Sequence, residues 1–492
     1  MTVSELLKAT GAKLLFGCEN TEILSFAVSS KRVKTGSCFV AVKGERTDGN
    51  LYISEAIKNG ARVILTEKEP EKRATYATEK NLISEKRISY ILSDNVYNAV
   101  SKAAIYFREK YIENIVAVTG SVGKTTVKEL IYSVLSESIV FSKTEGNQNN
   151  QLGLPLTILS NNNAKNIVCE LGISNKGEMC FLSEISKPNV SVITNIGVSH
   201  AEYFKGRENT AHEKLKIISG MRSGGRVIIN GDEPLLSESR FLAEEAEKVG
   251  LEVISVSWLS DKSDYYVYNV NTVDGGTVFD IKKQGEPFLN GLFVPIHGLH
   301  GAIDSAFSVA VADVFGVSEE NIRRGLKKYT PCGDRQRLIE KGGYLILLDC
   351  YNASPESFKA SINAFEIIAT ERKINSRCIV AGSMLELGDI TEYEHKKLGE
   401  SIAALSPSLL ITVGREAEYI ADSAEKNGIK EIFRALPKVN GALVTKTPEK
   451  YAAGSCCAEK IASEIKKRLS KGSLILIKGS RALRLEEIIK YF

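Results

Sequence analysis

The sequence predicts an α/β protein of three domains built mostly on parallel sheets, and three observations carry that reading. A chain of 492 residues holds roughly three domains at about 150 residues each. Short apolar runs alternate with segments of helical spacing along most of its length, as in strands joined by crossover helices. Polar or glycine-rich residues repeatedly follow those runs, and an open parallel sheet gathers its ligands at the edge where its strands end. The expected division is residues 1–95, 96–330 and 331–492.

Composition narrows the class. Charged residues make up 25% and hydrophobic ones 43%, as in ordinary globular chains. The net charge of +4 is too small at this length to argue for nucleic acid or a membrane surface. Nine cysteines are scattered without a Cys-x-x-Cys pair, which points to buried small apolar side chains in a reducing compartment. The opening Met1-Thr2-Val3-Ser4-Glu5 lacks a basic segment followed by an apolar one, so no signal peptide is expected. No apolar run reaches the ~18 residues of a membrane span. A cytoplasmic protein without nucleic acid or membrane as partner is the expectation.

In the first domain, residues 23–28, 38–42 and Val63–Thr66 read as strands. Ile53–Lys58 reads as a helix closed by Asn59-Gly60. The polar loop 43–50 reads equally well as a ligand loop or a solvated connection. Residues 67–86 are charged and weakly periodic, a surface stretch, and 95–111 is a helix leading into the second domain.

The central domain begins with the apolar run Ile115-Val116-Ala117-Val118, a buried strand. It runs directly into Thr119-Gly-Ser-Val-Gly-Lys-Thr-Thr126, and helical spacing follows at Val127, Leu130, Ile131 and Leu135. Strand, glycine loop and helix in that order place backbone N–H groups where an anion can sit. Val118 stands where the full phosphate-loop pattern has its first glycine, so the match is the shorter Gly-x-x-Gly-Lys-Thr. We read Gly120, Ser121, Val122, Gly123, Lys124, Thr125 and Thr126 as a phosphate-holding loop, with Lys124 adding a point charge and the Thr125 hydroxyl able to ligate Mg²⁺.

The amide-rich stretch 144–150, with Asn149 and Asn150, marks a loop. A strand at 167–169 ends on Glu170, and another at 190–194 leads to Asn195 and His200. A helix at 208–219 carries Lys214, and a strand at 226–229 follows. Thr119, Glu170 and Asn195 thus share one sheet edge, and a carboxylate beside a phosphate loop is a natural Mg²⁺ ligand. Taken alone, His200 would be structural or exposed, and Lys214 a helix-surface charge. Residues 253–296 alternate as a small antiparallel β insertion, and helices at 298–315 and 317–328 close the domain.

The third domain has strands at 344–348, 378–381, Leu409–Val413 and 473–477 with helices between, the alternation of a doubly wound sheet. Asp349-Cys-Tyr-Asn352, Gly382-Ser383, Gly414-Arg415 and Lys478-Gly-Ser-Arg481 follow these strands, which suggests a second ligand edge. The chain shows no internal repeats, low-complexity tracts or heptads.

Together these motifs resemble the Mur ligase family, in particular the branch that joins D-alanyl-D-alanine to a UDP-muramoyl tripeptide. Besides the glycine loop, the resemblance rests on Gly146-Asn-Gln-Asn-Asn150 with Gly153-Leu-Pro-Leu-Thr157, and Glu170-Leu-Gly-Ile-Ser174 with Gly177-Glu178. Thr194-Asn-Ile-Gly-Val-Ser-His200, Tyr351-Asn-Ala353 with Pro355, Met384-Leu-Glu-Leu-Gly388 and Lys478-Gly-Ser-Arg481 complete it. Each motif is weak; their order and spacing together are specific, and they cover nearly the whole chain.

The resemblance implies an N-terminal nucleotide-sugar domain, a central ATPase domain and a C-terminal Rossmann-like domain. It also implies amide bond formation through an acyl-phosphate, within peptidoglycan synthesis. Lys124, Glu170, His200 and Lys214 would be catalytic, with Asn149, Asn150, Arg335 and Asp349 joining the loop around ATP. One Mg²⁺ would use Thr125 and Glu170, and a second Glu170, His200 and a carbamylated Lys214. Ser30, Lys31, Asp48 and Asn50 would read the nucleotide sugar, and Asn352 and Ser354 the amine.

The chain departs from the family's pattern in several places. Ser29-Ser30-Lys31 stands for Asp-Ser-Arg, and Asp48-Gly49-Asn50 for Asp-Gly-His. Gly301 and Asp304 stand where two asparagines are usual, Cys350 where a second aspartate is, and Lys216 where an acidic residue is common. Replacing Arg by Lys loses two-pronged binding of phosphate or carboxylate. Three other readings stand beside this one: a ligase forming the same bond on a different acceptor or amine, a phosphate-loop switch ATPase, and an inactive scaffold.

Overall fold

The computed structural model describes residues 1–44, 47–70, 88–161, 164–198, 201–435, 438–439, 442–443 and 455–492. Three sheets with flanking helices organise them. The first, in spatial order, is Lys13–Phe16, Ser89–Leu92, Val63–Thr66, Ser37–Val40 and Ser25–Ala27. Its first pair is antiparallel and the others parallel.

The central sheet has nine strands, ordered Glu286–Val294, Gly276–Lys283, Tyr265–Val273, Glu252–Ser257, Arg226–Asn230, Val190–Ile193, Asn114–Thr119, Asn166–Glu170 and Phe141–Lys143. The alternating stretch read as an insertion supplies three antiparallel strands that continue this sheet at one end. They join it through parallel pairing of Val256 with Tyr265. The strand Glu252–Ser257 belongs to the parallel part instead. Alternation marks a half-exposed strand but says nothing of which sheet it joins, so sequence left this connection open.

Register sets the site. Val118 is level with Glu170 on one side of the central strand, and Thr119 with Ile193 on the other. The three strands therefore finish together. The helix Lys124–Leu135 returns beneath the sheet, with Val127, Leu130, Ile131, Val134 and Leu135 fully buried. At roughly 1.5–3 kcal/mol for each large apolar side chain, this face anchors the start of the helix firmly. Leu299–Val314 and Glu319–Lys328 pack on the same helix.

The third sheet runs Arg337–Lys341, Tyr344–Asp349, Leu474–Lys478, Arg377–Gly382, Leu409–Val413 and Ile432–Ala435, parallel except for its first pair. The strands Lys13–Phe16, Ser89–Leu92, Phe141–Lys143, Arg337–Lys341 and Ile432–Ala435 escaped sequence reading. Each is three to five residues long, below the length at which periodicity speaks. Of the charged stretch at 67–86, residues 71–86 lie outside the described residues. No helix among the described residues is long and apolar enough to cross a membrane.

Candidate active site

The glycine loop is shaped from beneath by the neighbouring strand end. Gly120 and Gly123 take φ of 149° and 85°, conformations that side chains rarely adopt. A Cβ on Gly120 would meet the Thr194 hydroxyl at 1.9 Å. Asn195 Oδ1 accepts from the N–H groups of Ser121 at 3.1 Å and Val122 at 2.8 Å. The Thr194 hydroxyl donates to Val122 O, and Gly197 N–H to the Ser121 hydroxyl. Lys124 Nζ donates to Gly120 O at 2.9 Å and Ser121 O at 3.1 Å. Burial lowers its pKa, against the opposing pull of Glu170.

Glu170 is 3% exposed and lies where the loop meets its helix. Its Oε2 accepts from the Thr125 hydroxyl at 2.7 Å and its Oε1 from Asn149 Nδ2 at 2.9 Å. Arg335 Nη2 donates to Thr125 Oγ1 at 2.9 Å, and its guanidinium lies 3.6 Å from the centre of the Tyr351 ring. Lys214 Nζ donates to Gly120 O at 2.9 Å. It is 3% exposed, not the surface charge its spacing alone would give. Burial, then the charge of Lys124, pushes its pKa well below the ordinary lysine value. The lysine is therefore biased toward a neutral, nucleophilic amine. Its neighbour Lys216 pairs with Glu213, which also accepts from Gly177 N–H. His200 lies outside the described residues.

A cleft of about 620 Å³ opens above the loop, lined by residues 121–126, His300 and Asp304, and across it by Arg335, Asp349, Asn352 and Ser354. Asp349 bonds Lys478 Nζ at 2.6 Å and the Ser361 hydroxyl, and accepts from Gln336 N–H at 3.3 Å. Lys478 is only 1% exposed. Ser354 caps the helix Pro355–Glu371, while Asn352 is exposed at the rim. Asn150 has a structural part, since its Oδ1 accepts from Leu152 and Gly153 N–H and closes the turn there.

The departures have physical consequences. A Cβ at Gly301 would meet Ile296 at 2.8 Å, so the position has no room for the usual asparagine without a shift. Asp304 faces Gly123, where a Cβ would come within 3.1 Å of its Oδ1. Burial lifts its carboxyl to about 8, so at neutral pH it can donate a hydrogen bond as an amide does. His300 Nε2 pairs with Gln336 Oε1 at 2.7 Å. Cys350 lies with Asp334 and Glu486, and Arg481 reaches both carboxylates.

In the first domain, the Ser30 hydroxyl donates to Glu55, and Lys31 is exposed. Asp48 pairs with Lys68 at 2.6 Å and accepts from Asn50 Nδ2 at 2.7 Å. These four do not line the cleft. Sequence reading missed three contributors: Asn195 as the clamp of the loop, Lys478 as the partner of Asp349, and Glu356. Only pairing across strand ends reveals the roles of the first two; the place of each just past an expected strand was their one signal.

Comparison with known proteins agrees along the whole chain. The profile described as Mur ligase family, catalytic domain, matches residues 22–117. Mur ligase middle domain matches 118–312, and Mur ligase, glutamate ligase domain, matches 334–481. The UDP-N-acetylmuramoyl-tripeptide–D-alanyl-D-alanine ligase of Bacillus subtilis (strain 168) is 33% identical, over 99% of this chain and 96% of its own. A crystal structure of MurF from Acinetobacter baumannii superposes with a TM-score of 0.80 at 26% identity, over 99% of this chain and 98% of that one. MurF ligase from Thermotoga maritima in complex with ADP gives 0.74 at 28%, over 96% and 97%.

Proposed function

Because the chain belongs to the Mur ligase family of ATP-dependent ligases, we propose that it joins D-alanyl-D-alanine to the terminal carboxylate of UDP-N-acetylmuramoyl-tripeptide. The setting is the assembly of peptidoglycan precursors in the cytoplasm. The observation that carries the reading is the linked group of Lys124, Thr125, Glu170, Asn149 and Lys214 at one strand edge, closed from the far side by Arg335. A switch ATPase needs the loop but neither the buried lysine nor the third-domain arginine.

The tripeptide carboxylate attacks the γ-phosphorus of ATP, forming an acyl-phosphate and releasing ADP. The amine then adds to the acyl carbon, and the tetrahedral intermediate expels phosphate. Lys124 and the loop N–H groups offset negative charge on the β- and γ-phosphates, and Arg335 reaches the same region from the third domain. Thr125 and Glu170 are hard oxygen donors at one point, and the hydrogen-bond donors to the Glu170 carboxylate among the described residues are the Thr125 hydroxyl and the Asn149 amide. A divalent cation fits there; Mg²⁺ would supply charge neutralisation and alignment of the phosphates. His200 and a carbamylated Lys214 would complete a second Mg²⁺ site, and the depressed Lys214 pKa supports carbamylation, which requires the neutral amine.

Residues 1–95, with Ser30, Lys31, Asp48 and Asn50, would take the nucleotide sugar, 96–330 ATP, and 331–492 the amine through Asn352 and Ser354. The protein would act as a monomer. A ligase for another acceptor is the second reading, favoured by Lys31 and Asn50 where the family carries other side chains. Phosphate release in ATP and Mg²⁺ decides. Dependence on both muramoyl tripeptide and D-alanyl-D-alanine upholds the proposal, and release with neither favours a switch. An acceptor panel with and without the UDP group separates the two ligase readings.

A further inference from the structure

Glu356 presents a carboxylate to the cleft with one oxygen engaged and the other free. It lies in the first turn of the third-domain helix Pro355–Glu371 and reaches across to the central domain. There its Oε1 accepts from Val198 N–H at 2.8 Å. A Cβ on Gly197 would lie 2.5 Å from that oxygen, so the glycine is what lets the carboxylate meet the backbone. Val198 belongs to the same strand-end loop as Asn195, the clamp of the phosphate loop. The carboxylate is thus fixed in place relative to the transferring phosphate.

The second oxygen, Oε2, is buried and has no hydrogen-bond partner among the described residues. A carboxylate oxygen shut off from water calls for a donor or a cation. Glu394 is near enough to feel the Glu356 charge. Its pKa is raised by burial, opposed by Lys397, and raised further by the charge of Glu356. A buried carboxylate oxygen left unpaired among the described residues, on a side chain that lines the reaction cleft, makes a receptor for a positive group.

We propose that Glu356 Oε2 receives the primary ammonium of the incoming amine, making an amine subsite between residues 195–198 and the third-domain helix. The inference rests on the ligase reading for the presence of an amine substrate. It predicts preference for substrates with a free primary amino group, captured as the ammonium next to the loop where the acyl group is activated; one proton passes to solvent before the nitrogen adds to the acyl carbon, and a second leaves with the expelled phosphate. Because Oε1 is bound to the central domain, the subsite exists only when the third domain is docked.

The test is Glu356→Gln in the full-length protein, because glutamine keeps an oxygen for Val198 N–H and removes the charge. Steady-state phosphate release is measured with ATP, Mg²⁺, acceptor and varied amine. KM for the amine should rise at least about tenfold, the scale of one charge-assisted hydrogen bond. The kcat should stay within about threefold, with KM for ATP and the Mg²⁺ dependence unchanged. An unaltered amine KM overturns the proposal. So does a shift in Mg²⁺ dependence, which would make Glu356 a metal ligand, or an equal loss for every substrate, which would make it only a domain latch. The comparison uses whichever amine of a panel supports turnover. Failure of D-alanyl-D-alanine therefore sinks the substrate reading while this ratio still decides the role of Glu356.

Discussion

Replacing Lys214 by methionine separates a lysine kept for chemistry from one kept for packing. Methionine retains most of the stem and removes the nitrogen. The parent side chain is 3% exposed, with one hydrogen bond, to Gly120 O, among the described residues. Losing that bond costs about 1 kcal/mol. Against this, an ammonium here is desolvated and repelled by Lys124. Replacing buried charge by apolar volume is commonly neutral to stabilising by about 1–4 kcal/mol. In carbonate-free buffer at pH 6 we expect Lys214→Met to be more stable than the parent by about 1–3 kcal/mol. The sign of the pH dependence follows from the depressed folded-state value. Between it and the unfolded value of 10.5, the unfolded chain binds more protons, so parent stability rises with pH and the gap closes. Activity moves the other way, falling at least about 10²-fold as for a lost group around a metal site. Urea unfolding at pH 6 and 9, beside phosphate-release kinetics, reads both effects. A variant less stable at pH 6, or one with parental turnover, refutes the reasoning. Lys214→Ala should regain part of its activity with a short added carboxylic acid.

Two further outcomes follow. Asp304 carries a proton below about 8; its stabilising share, complete below the unfolded value of 3.8, is lost as pH rises toward 8. KM for ATP should therefore change through that range, and Asp304→Asn should flatten both profiles when kinetics and unfolding are followed from pH 6 to 9. Asp349→Ala leaves Lys478 buried without its carboxylate and should cost about 3–5 kcal/mol by urea unfolding; adding Lys478→Met should restore a large part of it.

The sequence made the reaction end of the molecule legible because its chemistry is local. An apolar strand, two glycines, Lys124 and Thr125 are contiguous, and strand-end logic placed Glu170 beside them. Lys214 is different. Helical spacing alone assigns it to the surface, and only the family resemblance singled it out; its burial against Gly120 is a product of packing between distant segments. The roles of Asn195 and Glu356 depend on which backbone N–H a side chain meets across 73 and 158 positions. No spacing rule reaches that far. Asn150 shows the reverse case, a residue in a chemical motif whose side-chain oxygen is used to close a turn.

The stacking of Arg335 on Tyr351 carries one more consequence. The ring belongs to the third domain, while the hydroxyl that the guanidinium reaches belongs to the phosphate loop. Rotation that lifts Tyr351 away withdraws the support of Arg335 and with it the contact to Thr125. On the proposed function the arginine would work as an interlock, making full charge compensation at the nucleotide conditional on a docked third domain. ATP held by an open molecule would then be spared from idle hydrolysis, and cleavage of the phosphoanhydride would be timed to the moment when both halves of the new bond are enclosed.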